Sequence, residues 1–96
     1  MNNNPDMFLI EAKRLAMENY NENVARESDD GNYETITMQD VFIVWFAKAL
    51  QNWKALVSTN VDGDGVYYEI THNGDKRETY VDLYLKRSNT VVPATH

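Results

Sequence analysis

The sequence has no cysteine, which excludes disulfide staples and every thiolate-based zinc or redox site. Glycine occurs four times and proline twice, too few for a collagen-like or linker-like chain. No apolar run approaches the roughly 18 residues that a membrane-spanning helix needs. Cations are also scarce: nine Lys and Arg stand against fifteen Asp and Glu, for a net charge of −6. A phosphate-binding surface needs clustered Lys and Arg. Here they are scattered, so direct nucleic-acid binding is not expected. Met1-Asn2-Asn3-Asn4 offers neither the basic nor the apolar region of a secretion signal. The expected location is the cytoplasm, with no membrane association.

What remains is one domain of 96 residues. A chain of this size buries only about 60–65% of the surface its unfolded form exposes. With no covalent staple, the apolar faces of its elements must share one core.

Asn4-Pro5-Asp6 reads as a helix start: a capping side chain, a proline suited to the first turn, and an acid at the positive helix end. Phe8, Ala12, Leu15 and Ala16 recur at helical spacing, widened by Leu9 and Tyr20, which predicts a helix over about 5–25. The polar, acidic stretch of about 27–36 reads as a flexible linker. Thr37-Met38-Gln39-Asp40 resembles a short capping-box turn.

From Val41 onward β-branched and aromatic residues dominate, and four strands are expected within about 41–86: Val41–Leu50, Trp53–Val61, Val66–His72 and Asp75 to about Lys86. Helix formers within Val41–Ala55 make a buried helix the alternative there, but the Val-Phe-Ile-Val-Trp-Phe run favours a strand. The turns are Gln51-Asn52, the Asp62–Gly65 loop, and Asn73-Gly74, a type I′ pair. Residues 87–96 form a tail, in which Val91 and Val92 could make a short contact. The fold class is therefore α+β, an N-terminal amphipathic helix packed on one face of a four-stranded antiparallel β-meander.

Tight turns fix register, and register fixes faces. The expected pairs include Leu50 with Trp53, Phe46 with Val57, Val57 with Ile70, Ile70 with Arg77, and Val66 with Val81. They gather Phe42, Val44, Phe46, Leu50, Trp53, Ala55, Val57, Val61, Val66, Tyr68, Ile70, Val81, Leu83 and Leu85 on a core face beneath the helix. A single bulge in the first hairpin would flip the first strand. The opposite face receives Val41, Ile43, Trp45, Ala47, Lys54, Leu56, Ser58, Asn60, Tyr67, Glu69, Thr71, Lys76, Glu78, Tyr80, Asp82 and Tyr84. Within it, Ile43, Trp45, Leu56, Tyr67, Tyr80 and Tyr84 would form an apolar and aromatic patch ringed by Glu69, Glu78 and Asp82. Such patches mark protein interfaces, although tyrosine also suits the wet face of an ordinary sheet.

Three features bear on chemistry. Asn60-Val61-Asp62-Gly63-Asp64-Gly65 opens like a calcium loop, but its twelfth position is Thr71 where a bidentate Glu is required, so a hairpin loop is the better reading. His72 flanks the expected turn opposite Asp75, a polar pair with no nucleophile beside it. Glu69 is expected opposite Glu78, with Asp82 on the same face, and paired carboxylates suit a metal-assisted enzyme. An open sheet gives them no cleft, so no catalytic, cofactor-binding or metal-binding residue is assigned and no cofactor is expected.

Asp40–Asn52 (Asp-Val-Phe-Ile-Val-Trp-Phe-Ala-Lys-Ala-Leu-Gln-Asn), Lys54–Thr59 and Tyr67–Lys76 resemble a family of short, uncharacterised proteins encoded by phages and prophages of Gram-positive bacteria. The resemblance covers Asp40 to about Lys86 and brings no catalytic residue with it. It implies a small phage protein in the host cytoplasm, of a kind that often binds and inhibits a host enzyme or defence component. The expected function is a non-enzymatic protein-binding module acting through the aromatic sheet face. Its partner is a host or phage protein, or a second copy in a face-to-face homodimer. A small metal-assisted enzyme is the alternative, and an acidic nucleic-acid mimic using Glu27, Asp29 and Asp30 a third reading.

Overall fold

The computed structural model describes residues 5–94 except 62 and 64. Helix α1 spans Pro5–Asn23, a short 3₁₀ turn covers Met38–Asp40, and strands β1 (Val41–Ala49), β2 (Asn52–Thr59), β3 (Val66–Asn73) and β4 (Glu78–Leu85) follow. The strands form one antiparallel sheet in the order β1-β2-β3-β4, with the helix on one face. This is the α+β architecture that the periodicities predict. The expected cap Asn4 lies outside the described residues.

Helix α1 is held from within by Arg14, which reaches back to Glu11 and forward to Glu18 (Nη1 to Oε1, 2.7 Å), the spacings that meet on a helix surface. Its buried stripe is Phe8, Ala12, Ala16 and Tyr20. The two alanines let the helix lie close to Ala55, Val57, Tyr68 and Ile70, all fully buried. Phe8 packs on Trp53 with ring centroids 5.4 Å apart, and the Tyr68 hydroxyl donates to Asn19 Oδ1 at 3.0 Å. Buried tyrosines need such a partner.

The helix ends where the Val24 and Ala25 amides both donate to the Tyr20 carbonyl. The acidic segment then doubles back through a Glu27–Tyr33 bridge around Gly31, whose φ of 88° glycine adopts without strain. Asn21 grips its far end. The Asn21 amide donates to the Ile36 carbonyl at 3.0 Å and its Oδ1 accepts from the Ile36 amide at 2.8 Å, with Ile36 itself in the core. The capping box is present at Thr37 to Asp40. The Asp40 carbonyl also accepts from the Asn60 amide, which ties this turn to the end of β2.

The strands differ from expectation in register. The first turn is Leu50-Gln51, not Gln51-Asn52; Ala49 pairs with Asn52 and Phe46 with Ala55. Leu50, expected in the core, sits at the turn with φ 57° and is 86% exposed. Val57 faces Tyr68 instead of Ile70, and Ile70 faces Val81 instead of Arg77. The third turn is no Asn73-Gly74 pair. It is a four-residue loop, 74–77, in which Asn73 Oδ1 accepts from the Asp75 and Lys76 amides and Arg77 takes the positive φ. Lys76, expected on the outer face, lies in this loop.

A bulge makes the largest change. Ile43 faces Val57 while Trp45 faces Leu56, so Val44 is an extra residue with no opposite number. Before the bulge the faces are exchanged. Val41 and Ile43 turn inward, Phe42 turns outward at 48% exposed, and Val44 is 51% exposed. Beyond the bulge Trp45 points outward as expected. Phe46, Leu83 and Leu85 share the inner face with the core but remain exposed, because the helix does not reach over them.

Gly74 has a role that its expected turn type does not supply. Its amide donates to the Gln51 carbonyl, and a Cβ there would overlap that oxygen and the Gln51 side chain. We expect Gly74→Ala to cost about 1–3 kcal/mol by forcing the two turns apart, read as a lower denaturation midpoint with unchanged cooperativity. Asp40 supplies a second test. The Thr37 amide donates to its carboxylate and holds its pKa below the ordinary value against the opposing effect of burial, with lesser help from the Thr37 hydroxyl and the Asn60 side chain. A depressed pKa adds stability that is complete above the unfolded value, about 3.9, and lost as pH falls through the folded one. Asp40→Asn should therefore melt below wild type at pH 7, with the gap closing in acid.

Candidate functional site

Because α1 occupies the inner face, the outer face is bare, and the observed registers set its layout. Its first row across the sheet is Phe42, Ser58, Tyr67 and Tyr84. Trp45, Leu56, Glu69 and Asp82 form the second row, and Ala47, Lys54, Thr71 and Tyr80 the third. Four of the six residues expected to form the patch are here and exposed: Trp45 at 45%, Tyr67 at 38%, Tyr80 at 44% and Tyr84 at 39%. Leu56 is here too, half-buried beside Trp45. Ile43 is not; the bulge turns it inward against the core, and Phe42 takes its place.

The patch is divided, not ringed, by its charges. Glu69 faces Asp82 in the middle row, not Glu78, so the expected Glu69–Glu78 pair does not form. Lys54 Nζ lies 3.1 Å from Glu69 Oε1 and compensates one of the two opposed carboxylates. Asp82 has no ion pair among the described residues. Tyr67 and Tyr84 stack across the strands on one side of the acids, 5.0 Å between centroids and 7° from parallel. Tyr80 stands on the other side, its hydroxyl donating to Glu78. That hydrogen bond holds the proton on the phenol and raises the Tyr80 pKa, with burial and then the negative charge of Glu78 adding to the effect.

The remaining chemical candidates separate. His72 pairs with Thr79 (Nδ1 to Oγ1, 2.8 Å), not with Asp75, since the loop after it is longer than expected. Asp62 and Asp64 of the calcium-like loop lie outside the described residues. Among the described residues no three His, Asp or Glu side chains come together as a metal-binding group. No described helix is long and apolar enough to cross a membrane.

The structure also shows a groove that sequence reasoning missed. It occupies about 620 Å³ at the open end of the inner face, between the end of α1, residues 34–36 and β4. Tyr20, Val24, Ile36, Val66, Leu83 and Leu85 line it, with Arg26 and Glu34 in its wall. The one signal for it in the sequence is that the inner sheet face has more apolar residues than a single helical stripe can cover.

No curated protein and no solved structure matches the chain. A family model does, over residues 9–94, which takes in the helix, the acidic segment and the whole sheet. With nearly its full length inside that match, the chain is a member of the family of unknown function DUF6275.

Proposed function

We propose that this protein is a non-enzymatic protein-binding module of a phage or prophage of Gram-positive bacteria. It works in the host cytoplasm, where its outer sheet face engages and inhibits a host or defence protein. One observation carries the reading. In a two-layer fold whose helix takes one sheet face, the other face holds Phe42, Trp45, Tyr67, Tyr80 and Tyr84, each between 38% and 48% exposed. Aromatic residues of this kind anchor interfaces, with Trp and Tyr foremost among residues that dominate binding energy. The phage setting and the host cytoplasm both rest on the resemblance of residues 40–86 described above.

The face also suggests what its partner looks like. With Glu69 compensated by Lys54, Asp82 and Glu78 leave net negative charge among the tyrosines. The complementary surface is apolar or aromatic with a Lys or Arg set to meet Asp82.

The test begins with affinity capture from a host lysate and continues with titration of the purified partner. Trp45→Ala and Tyr80→Ala should each weaken binding by about 2 kcal/mol or more while leaving the melting curve near wild type. If both bind as wild type, the outer face is not the interface.

A further inference from the structure

The two edges of the sheet are not equivalent. Strand β1 is interrupted by the bulge at Val44, a device that blunts an edge against pairing. Strand β4 pairs with β3 through eight consecutive positions with no irregularity, and the bond from the Lys86 amide to the Gly65 carbonyl (2.7 Å) continues the ladder one step further. Backbone groups alternate in direction along a strand. Since Lys86 points its amide toward β3, so do Tyr84 and Asp82, and the amides and carbonyls of Val81, Leu83 and Leu85 face outward along the open edge. Beyond Val81, which packs against the core, both faces of β4 are exposed: Tyr84 is 39% exposed outside, and Leu83 and Leu85 are 36% and 66% exposed inside.

From this we infer that β4 is a self-association edge, which pairs antiparallel with β4 of a second copy to make one eight-stranded sheet about a two-fold axis at Tyr84. The occupant is a second copy because the strand is complementary to itself in this register. Leu83 falls opposite Leu85 of the second copy on the inner face, and Asp82 falls opposite Lys86 of the second copy on the outer face, each pair occurring twice by symmetry. An axis at Asp82 would instead oppose two like charges. The paired leucines extend the apolar floor of one groove toward the other, covering side chains that α1 leaves exposed. The edge shares Tyr84 and Asp82 with the outer face, but Trp45 lies at the opposite edge of the sheet, on β1, so Trp45→Ala tells the two apart: it should weaken partner binding and leave the dimer intact.

Analytical ultracentrifugation of the full chain tests the inference. Wild type should show a monomer–dimer equilibrium. Asp82→Lys and Lys86→Asp should each raise the dissociation constant roughly tenfold by opposing like charges twice, and the double reversal should restore it. Restoration excludes damage to the fold as the cause. A wild-type chain that stays monomeric, single reversals without effect, or a double reversal that is folded yet not restored, each overturns the proposal. Amide exchange of the wild type alone gives an independent reading. Protection of Leu83 and Leu85 should rise with protein concentration, while Asp82 and Tyr84 are protected throughout; outward amides unprotected at every concentration also overturn it.

Discussion

The whole arrangement follows from a mismatch of widths between one helix and four strands. A helix is about 10 Å across, and the outer strands of a four-stranded sheet lie about 14 Å apart before their side chains are added. The helix therefore covers β2, β3 and the near part of β1, where Trp53, Ala55, Val57, Tyr68 and Ile70 are buried. Beyond Val81 it leaves the inner side of β4 open. From that shortfall come the exposed Leu83 and Leu85, the groove beside them, and an edge strand with two uncovered faces. Among the described residues no second helix covers the outer face, so the aromatic residues there meet solvent or a partner.

The acidic segment and the turns act as ties that compensate for so narrow a core. Asn21 holds Ile36 by both its backbone groups, Asp40 joins the 3₁₀ turn to Asn60, and Gly74 meets Gln51 between two hairpin turns. Each satisfies backbone groups that the sheet and helix ladders leave over. They fix where the chain enters the sheet, and so fix which part of the helix stripe lies over which strand.

Much of this was legible in the sequence, and the errors have a physical pattern. The helix stripe, the capping box and the meander follow from local spacing and turn chemistry. The strand registers do not, because turn length is not set by dipeptides alone: Asn73 spends its side chain on the Asp75 and Lys76 amides and opens the loop to four residues. Yet the faces survive. The second hairpin slid by two positions, from Val57–Ile70 to Val57–Tyr68, and the third by four, from Ile70–Arg77 to Ile70–Val81. Even shifts preserve which side chains share a face. The bulge at Val44 is an odd shift, and it alone exchanged Ile43 for Phe42 in the candidate site. Nothing in a Val-Phe-Ile-Val-Trp run marks which residue will be the extra one, since all of them suit a strand. Asn21 was equally hidden, being one polar residue among several on a helix whose polar side was expected to meet water.

The candidate site therefore holds residues of two kinds. Tyr67 and Tyr84 stack on each other across β3 and β4, so part of their worth lies in the sheet itself, as with any cross-strand aromatic pair. Removing either one weakens the fold and the face together. Trp45 is different. It sits on the edge strand just past the bulge, with Leu56 on one side and no strand on the other. A large indole held half in water with so little intramolecular support contributes least to the monomer and most to whatever covers it. Strand preference explains the tyrosines of the outer face but not the exposure of Trp45, so the proposed binding role rests most heavily on Trp45.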